Sequence, residues 1–288
     1  MRTEFKLRAS FRAFTDHAAT ALAVLSTLLV VTPLVVIFGY LIFKGFSSLN
    51  FAFFTKVPVP VGETGGGMAN AIVGSAVLLG LASLIGIPLG IGGGIYLAEF
   101  GRGTKMAYAI RFTADVLNGV PSIVMGLAAF SLVVVPQGHF SAMAGGVALG
   151  IMMVPTVCRT TEEMLLMVPH AIREAALGLG VPNWRSVLSI TVKTASPGII
   201  TGCMLAFARV AGETAPLLFT ALGNQFWSTS LNEPIAALPL QIYVYALSPY
   251  DDWHRLAWAG ALVLIVLIVL SVSLVRYVTS RGVLKGNS

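Results

Sequence analysis

Charge is scarce in this sequence. Asp, Glu, Lys and Arg make up only 10% of its 288 residues, whereas hydrophobic residues make up 56% and the mean hydropathy is +0.86. This balance excludes a soluble globular domain and indicates an integral membrane protein. The two cysteines, Cys158 and Cys203, lie within or at the ends of apolar stretches, which is typical of small core residues and not of a disulfide or a metal site.

Two motifs are absent, and each absence has a consequence. The sequence has no Gly-x4-Gly-Lys-Ser/Thr motif, so it does not bind ATP at an ordinary P-loop. No small-x-small cleavage site follows the first apolar run, which is also too long for a signal peptide. We therefore expect this run to be a retained anchor helix.

Six apolar runs are long enough to cross a bilayer as helices, because lipid offers the backbone no hydrogen-bond partner outside its own segment. We number them spans one to six: residues 18–43, 71–98, 112–135, 142–158 (extended to about 161), 197–222 and 256–278. The predicted fold class is an all-α integral membrane protein with six transmembrane helices.

Basic residues are distributed unequally between the two sides of these spans. Thirteen lysines and arginines lie before span one, between spans two and three, between spans four and five, and after span six; the other side has Lys44, Lys56 and Arg255. Positive loops face the cytoplasm, so both termini and the segment between spans four and five are expected there. Because the basic residues are dispersed, the net charge of +6 does not indicate binding to nucleic acid.

We expect two parts in one membrane protein. Residues 1–69 are predicted to form a cytoplasmic segment, an anchor helix and an irregular outer loop, and residues 70–283 the transmembrane domain. The outer loop at 223–253 contains an apolar stretch, 235–247, that is too short for a span and includes Pro239. This stretch predicts an interfacial or re-entrant helix.

Glycine and proline interrupt the inner spans. Span two carries Gly86, Gly90 and Gly94 at four-residue spacing, which predicts either a helix that bends during gating or a face for close helix packing. Span three contains Asn-Gly-Val-Pro-Ser at 118–122, and span four contains Pro155. Both features predict kinked helices with free carbonyl groups, which either line a pore or are only structural.

Span five carries two charges near the expected middle of the bilayer, Arg209 and Glu213. A charge there costs about 2.5–3.5 kcal/mol on insertion scales, so such residues usually face a cavity and pair. Since they are four residues apart, we expect them on one helix face. Arg209 would then bind a passing anion through its planar donors, with Glu213 holding it between substrates. The structural alternative is a self-neutralising pair that fixes helix packing.

Other polar residues are candidates for the lining of the same path. Arg159, near the inner end of span four, is either a second station for the anion or a side chain that extends to the cytoplasmic headgroups. Thr160, Thr161, Thr214 and Asn224 are further candidates for polar lining. These residues predict an anion path through a helix bundle without identifying the anion.

A short helix is predicted in the cytoplasmic segment between spans four and five. Pro169 suits the first turn of a helix, and Gly178 or Gly180 suits the residue beyond its end, which gives a helix at about 169–180. About ten residues are too few to cross a bilayer. Two small residues leave its flank flat for close packing, which favours docking into a soluble partner over an ordinary solvated loop.

This segment carries a family signature. Residues 174–176, Glu-Ala-Ala, are followed after three residues by Gly180 and after nine more by Ile190. The pattern resembles the Glu-Ala-Ala-x3-Gly-x9-Ile-x-Leu-Pro motif of permeases in bacterial ATP-binding-cassette (ABC) importers, although Val192 and Lys193 replace its Leu and Pro. In that family the segment is the coupling helix, which sits in a cleft of the ATPase. The resemblance thus assigns five residues to ATPase coupling: Arg173, Glu174, Ala175, Ala176 and Gly180. Of these, Arg173 and Glu174 are expected to supply surface charge.

A second resemblance is more specific. The run Arg-x-x-Gly-Glu-Thr-Ala-Pro-Leu-Leu-Phe-Thr-Ala at 209–221 and Asn-Gln-Phe-Trp at 224–227 are similar to the A-type permease of bacterial phosphate-specific importers. Residues 118–122 and Gly-Gly-Gly-Met-Ala-Asn at 65–70 agree with it. The resemblance covers nearly the whole chain from residue 64 and implies a type I ABC importer permease core in the bacterial inner membrane.

The same resemblance implies partners and a division of labour. The partners are a second homologous permease, an ABC ATPase dimer, a periplasmic phosphate-binding protein, inorganic phosphate and membrane lipid. No cofactor is expected in this chain, since ATP and Mg belong to the partner ATPase, and the chain is not expected to be an enzyme by itself. The alternatives are a sulfate or molybdate permease, and an ion-coupled carrier, which would often show repeated halves. An intramembrane enzyme is disfavoured because no histidine or metal cluster accompanies Glu213.

Overall fold

The computed structural model describes the backbone of residues 2–60, 63 and 65–285, and the side chains of residues 12, 15–60, 63 and 65–279. This part of the chain is almost entirely helical, with one isolated bridge between Leu222 and Ile235. Five residues that contribute to the predicted charge bias have side chains outside the described set: Arg2, Lys6, Arg8, Arg281 and Lys285.

Thirteen α-helices follow one another in the described residues. They are α1 (Arg2–Phe46), α2 (Phe51–Thr55), α3 (Ala69–Ile95), α4 (Lys105–Gly119), α5 (Ser122–Ala129), α6 (Val135–Gln137), α7 (Ala142–Leu166), α8 (His170–Gly178), α9 (Asn183–Ser186), α10 (Val192–Ala211), α11 (Ala215–Thr220), α12 (Leu238–Ala246) and α13 (Asp251–Lys285). Three π-helical turns, Tyr96–Phe100, Phe130–Val134 and Val187–Thr191, extend α3, join α5 to α6 and join α9 to α10.

Five continuous helical segments of the described chain are long and apolar enough to cross a membrane: Thr15–Phe46, Ala69–Phe100, Ala142–Leu166, Asn183–Ala211 and Asp251–Thr279. A sixth span requires the pair Lys105–Gly119 and Ser122–Gln137, which is bent by 111°. The prediction of membrane helices is confirmed, with two corrections. Span three is broken, and span five is the segment that ends at Ala211, not the apolar run at 197–222.

The break in span three follows from its local sequence. Val120 precedes a proline, which disfavours helical backbone, and it has φ −71° and ψ 132°. Pro121 has φ −56° and ψ 137°, and α5 begins at the next residue. By contrast, Pro155 lies inside the uninterrupted helix α7.

Spans two and four pack along a glycine seam. Three glycines of α3 each approach one residue of α7, in the pairs Gly86 with Met153, Gly90 with Val157 and Gly94 with Thr161. Both residue numbers rise together, so the two helices are parallel, as the predicted topology requires. Between the two interpretations of these glycines, the structure supports close packing.

The seam leaves no room for a side chain at Gly94. A Cβ there would lie 2.5 Å from the Cβ of Thr161, whereas a Cβ at Gly92 meets nothing within 4 Å. We expect Gly94→Ala to lower the free energy of unfolding by about 1–3 kcal/mol through overpacking. Gly92→Ala should leave it unchanged or raise it by up to about 1 kcal/mol. Thermal unfolding of the two purified variants checks this, and equal midpoints would contradict the seam.

Spans four and five pack antiparallel. Gly198 faces Met164 and Gly202 faces Thr160, and beyond the helix break Ala221 approaches Gly145, where the register has shifted by about one helical turn. The register of the first two pairs gives the level of Arg209 relative to span four.

The outer side of the chain has its own small core. Phe53 and Met68 pack there with Leu238 and Tyr245 of α12. Helix α12 occupies the stretch for which a short interfacial or re-entrant helix is predicted. The first span lies apart from the others and contacts the last, where Gly45 approaches Leu262.

Candidate functional site

The two charges of span five lie on either side of a helix break. Helix α10 ends at Ala211, with Arg209 in its last turn. Gly212 caps the helix, and Glu213 lies between α10 and the short helix α11. The expectation that Arg209 and Glu213 share one helix face is therefore wrong, because the helix stops between them.

Neither charge is neutralised by the other. Among the residues whose side chains are described, no ion pair or hydrogen bond engages the guanidinium of Arg209 or the carboxylate of Glu213. Arg209 is exposed and Glu213 is half-buried. A clamp between the two, which was the structural alternative, is absent from this arrangement.

The register between spans four and five gives the level of Arg209 within the chain. Since Gly198 faces Met164 and Gly202 faces Thr160, Arg209 lies at the level of Met153. Met153 is close to the middle of the helix Ala142–Leu166. The middle of span four is thus the level of Arg209, and its depth in a bilayer stays a prediction.

The break in span three lies at a similar level. Gly126 of α5 packs against Pro216 of α11, so the start of α5, one turn earlier, lies near the break at 212–214. Just before its own break, Asn118 accepts a 3.0 Å hydrogen bond from the Thr156 hydroxyl of α7. Two interrupted helices therefore meet near Arg209, and interrupted backbone at membrane depth is tolerated where it lines a cavity or is buried in protein.

Thr214, predicted as polar lining, is the residue before α11. It is half-buried, and its carbonyl oxygen accepts from the backbone N–H groups of Leu217 and Leu218 at 3.1 and 3.2 Å. The structure thus brings Thr214 into the same break as Glu213. The role of both residues stays a prediction.

Arg159 belongs to a second group of charges, nearer the side predicted to be cytoplasmic. Its Nε lies 3.0 Å from Asp115 Oδ1, and its Nη1 donates to Glu162 Oε2 at 2.8 Å. The other oxygen of Glu162 accepts from Arg111 Nε at 2.6 Å. Arg111 also donates to the carbonyl of Leu97 at 3.1 Å, which ties span three to the end of span two. We call Arg111, Asp115, Arg159 and Glu162 the inner charge cluster.

Three members of the inner charge cluster, Arg111, Asp115 and Glu162, were not predicted as site residues from the sequence. Spacing alone could have suggested that Arg159 and Glu162 pair, because residues three apart on a helix are neighbours. The remaining pairs join different spans and have no sequence signal.

Glu162 should be the structurally critical member of the inner charge cluster. Its side chain is 3% exposed and bridges two arginines, whereas Asp115 is 55% exposed and contacts one. We expect Glu162→Gln to cost about 2–3 kcal/mol of stability and Asp115→Asn about 1 kcal/mol or less. Thermal unfolding of the purified variants measures this difference. A larger effect for Asp115→Asn would contradict the bridging role.

The other predicted lining residues lie elsewhere. Thr160 donates to the carbonyl of Thr156 at 2.8 Å and packs against Gly202, and Thr161 is buried in the glycine seam. Asn224 supports the outer loop, where it donates to the Pro234 carbonyl at 3.2 Å. Thr161 and Asn224 are therefore occupied in packing, and the structure does not bring them to Arg209.

Helix α8 forms where the sequence predicts it. Pro169 is its N-cap, and Gly180 has φ +77°, a left-handed conformation that favours glycine. The N–H of Gly180 donates to Leu177 and that of Val181 to Ala176, which satisfies two carbonyls at the helix end. This is a defined helix and not a solvated loop.

Two residues of α8 face inward, contrary to expectation. Arg173 does not supply surface charge, since its side chain is only 13% exposed and binds Glu99. Ala176 is 4% exposed, so its methyl group packs within the chain and not on the outer flank. Glu174 and Ala175 are exposed as predicted.

One side of α8 presents mainly small residues. The exposed residues Ala171, Glu174, Ala175, Gly178 and Leu179 form what we call the α8 face, and His170, Ile172 and Leu177 are also exposed on this helix. Leu179 is 84% exposed, and Trp184 of α9 is 61% exposed beside it. Exposed apolar residues rimmed by polar groups mark an interaction site.

Comparison with known proteins defines the class of this chain. The family described as "Binding-protein-dependent transport system inner membrane component" matches residues 90–282. The chain belongs to this family, and it is a multi-pass inner-membrane protein. The boundary predicted at residue 70 is not defined by this match and stays a prediction.

Its relatives agree with the more specific resemblance. The chain is 50% identical over 238 residues to the phosphate transport system permease protein PstA of Yersinia pestis, which covers 83% of this chain and 81% of the relative. It is 45% identical over 274 residues to PstA of Haemophilus influenzae, which covers 95% and 96%. The resemblance to A-type permeases of phosphate importers is thereby confirmed.

A solved structure confirms the fold. An inward-facing form of the MetNI methionine ABC transporter contains a chain that matches this one with a TM-score of 0.56 and 19% identity, covering 75% of this chain and 95% of that chain. At this identity the likeness establishes the ABC importer permease core and nothing about the substrate.

Proposed function

We propose that this chain is the membrane-spanning permease subunit of an ATP-driven importer of inorganic phosphate and forms half of the translocation path. The observation that carries the proposal is the guanidinium of Arg209, which has no ion pair or hydrogen bond among the described side chains and lies at the level of the middle of span four, just before the break in its own span. In support of phosphate, the chain is 50% identical over 238 residues to a permease named for phosphate transport.

The chemistry of the site favours phosphate. The guanidinium group offers a planar fork of donors that matches two oxygens of an oxyanion. The carboxylate of Glu213 accepts a hydrogen bond from an anion that carries a proton. Phosphate carries one at neutral pH and sulfate does not, so Glu213 disfavours sulfate. The half-helix α5 begins nearby, and the positive end of its dipole favours an anion.

The proposed path runs from the outer face past Arg209 to the inner charge cluster. There Arg159, with its side chain 31% exposed, offers the next guanidinium. The distribution of basic loops supports an orientation with both termini and α8 in the cytoplasm.

The proposed assembly follows from what this chain lacks. Without a P-loop motif it requires a separate ATPase, which holds ATP and Mg, and the α8 face is where that subunit docks. A second homologous permease supplies the other half of the path, and a periplasmic phosphate-binding protein delivers the anion. Closure of the ATPase dimer moves α8 and with it the spans.

Reconstitution tests this function directly. The chain, expressed with its second permease and ATPase, should co-purify with both and take up labelled phosphate into proteoliposomes when ATP and the binding protein are supplied. Unlabelled phosphate should compete, whereas sulfate and molybdate should not. ATP-dependent uptake of sulfate or molybdate in place of phosphate, or uptake driven by an ion gradient without ATP, would contradict the proposal.

A further inference from the structure

Arg173 is the most completely bound guanidinium in the described part of the chain. Its Nη2 donates to Glu99 Oε1 at 2.7 Å, and its Nε donates to the same oxygen at 3.2 Å. Its Nη1 donates to the carbonyl of Val168 and its Nη2 to that of Leu165, both at 2.7 Å. The side chains of Arg173 and Glu99 are 13% and 8% exposed, so water screens this pair little.

These bonds join three separate elements. Arg173 lies in α8, Glu99 lies in the π-helical turn that ends span two, and Leu165 lies in the last turn of α7. The last carbonyls of a helix have no partner within it, and the guanidinium satisfies two at this helix end. One side chain thus fastens α8 to the inner ends of spans two and four.

Spans two and four are themselves one body. The glycine seam holds α3 against α7, and its last pair, Gly94 with Thr161, lies about one turn from Glu99 and Leu165. Packed interfaces of this kind are not continuously deformable, so a displacement at one end moves the pair together. The broken helices, α4 to α5 and α10 to α11, also contact this pair, through the inner charge cluster and through Gly198 and Gly202, but none of the four hydrogen bonds of Arg173 goes to them.

We propose that Arg173 and Glu99 form a clamp that makes the coupling helix α8 move as one body with spans two and four. The clamp transmits the movement of the ATPase to the membrane, and both are positioning residues that touch neither phosphate nor ATP. This inference rests on the proposed function. Without the clamp, α8 remains bound to the ATPase but turns independently of the spans.

The inference predicts uncoupling, which a merely stabilising ion pair would not produce. Glu99→Gln removes the charge of the partner and keeps the carbonyl bonds of Arg173. In the reconstituted complex with binding protein and inorganic phosphate, the ATPase should stay bound and hydrolyse ATP. The phosphate transported per ATP hydrolysed should fall about tenfold, the size of an ordinary coupling between sites. Glu163→Gln is the matched control, because Glu163 is an exposed carboxylate of the same helix end, and its ratio should equal that of the wild type.

A second variant keeps the test decisive. Arg173→Lys retains a positive charge but cannot bind the carboxylate and two carbonyls with one planar group, so its ratio should also fall. If the complex with the Glu99→Gln variant does not assemble, the phosphate transported per ATP by the Arg173→Lys variant tests the clamp instead. A wild-type ratio in an assembled variant, or failure of both variants to assemble, overturns the clamp. If the wild-type complex itself takes up no phosphate with ATP, the proposed function has failed instead.

Discussion

The double substitution Arg209→Gln, Glu213→Gln should leave the transporter assembled with its ATPase and abolish phosphate uptake. Glu213→Gln keeps the size of the side chain and Arg209→Gln keeps much of its length, and each removes a charge. If Arg209 binds the passing anion, two charge-assisted hydrogen bonds are lost, at about 1.5–3 kcal/mol each, and uptake should fall roughly 100-fold or more. Uptake of labelled phosphate into proteoliposomes and retention of the ATPase on the purified permease measure the two effects separately.

Single substitutions sharpen this test, because the two residues are not paired in the structure. The Arg209→Gln variant should lose phosphate uptake and keep its thermal stability, since Arg209 forms no ion pair with the described residues that the substitution could break. Arg209→Lys keeps the charge without the planar fork and should give intermediate uptake. Lys105→Gln, at an exposed position before span three, is the matched control and should transport normally. Normal uptake by the assembled double variant would show that Arg209 does not bind phosphate.

Properties that depend on local sequence were predictable. The length and apolarity of the spans identify membrane helices, and the helix α8 is marked by Pro169 at its start and Gly180 beyond its end. Each of these depends on neighbouring residues and on the thickness of a bilayer, which the sequence reports directly.

The helix breaks were predicted only in part. Pro121 indicated a kink, but the 111° bend also depends on where α5 packs, and the contact of Gly126 with Pro216 joins distant parts of the chain. In span five the apolar run continues past Gly212, so hydropathy gave no sign that the helix ends at Ala211. The helix also begins earlier than predicted, at Asn183, because its first residues are too polar to be counted in an apolar run.

Side-chain direction on α8 was not predictable at all. A motif shows which residues are small or charged, and it does not show which of them face the chain. Arg173 turns inward because Glu99, 74 residues earlier, offers a carboxylate at the end of span two. Ala176 lies three residues further along the helix, on the same face as Arg173, and therefore also faces the rest of the chain. The proposed docking surface therefore lies among the residues left outside, which include those of the α8 face.

This assignment separates two neighbouring alanines that the motif treats alike. Ala175→Trp should cause the ATPase to dissociate while the permease stays folded, because Ala175 is exposed on the α8 face. A bulky side chain in a closely packed contact costs about 1–3 kcal/mol, which is roughly a 10–100-fold loss of affinity. Ala176→Trp should instead lower the thermal stability of the permease, since Ala176 is only 4% exposed within its own chain.

Retention of the ATPase during purification and thermal unfolding of the isolated permease distinguish the two outcomes. Lys105→Trp places the same indole at another exposed position on the side predicted to be cytoplasmic, outside α8, and should affect neither measurement. Full retention of the ATPase and full phosphate uptake in the Ala175→Trp variant would show that the α8 face is not the docking surface. Dissociation caused equally by Lys105→Trp would show that bulk anywhere on this side is enough. We expect dissociation from Ala175→Trp alone, because the flat stripe of small residues on α8 is what allows close approach to a soluble partner.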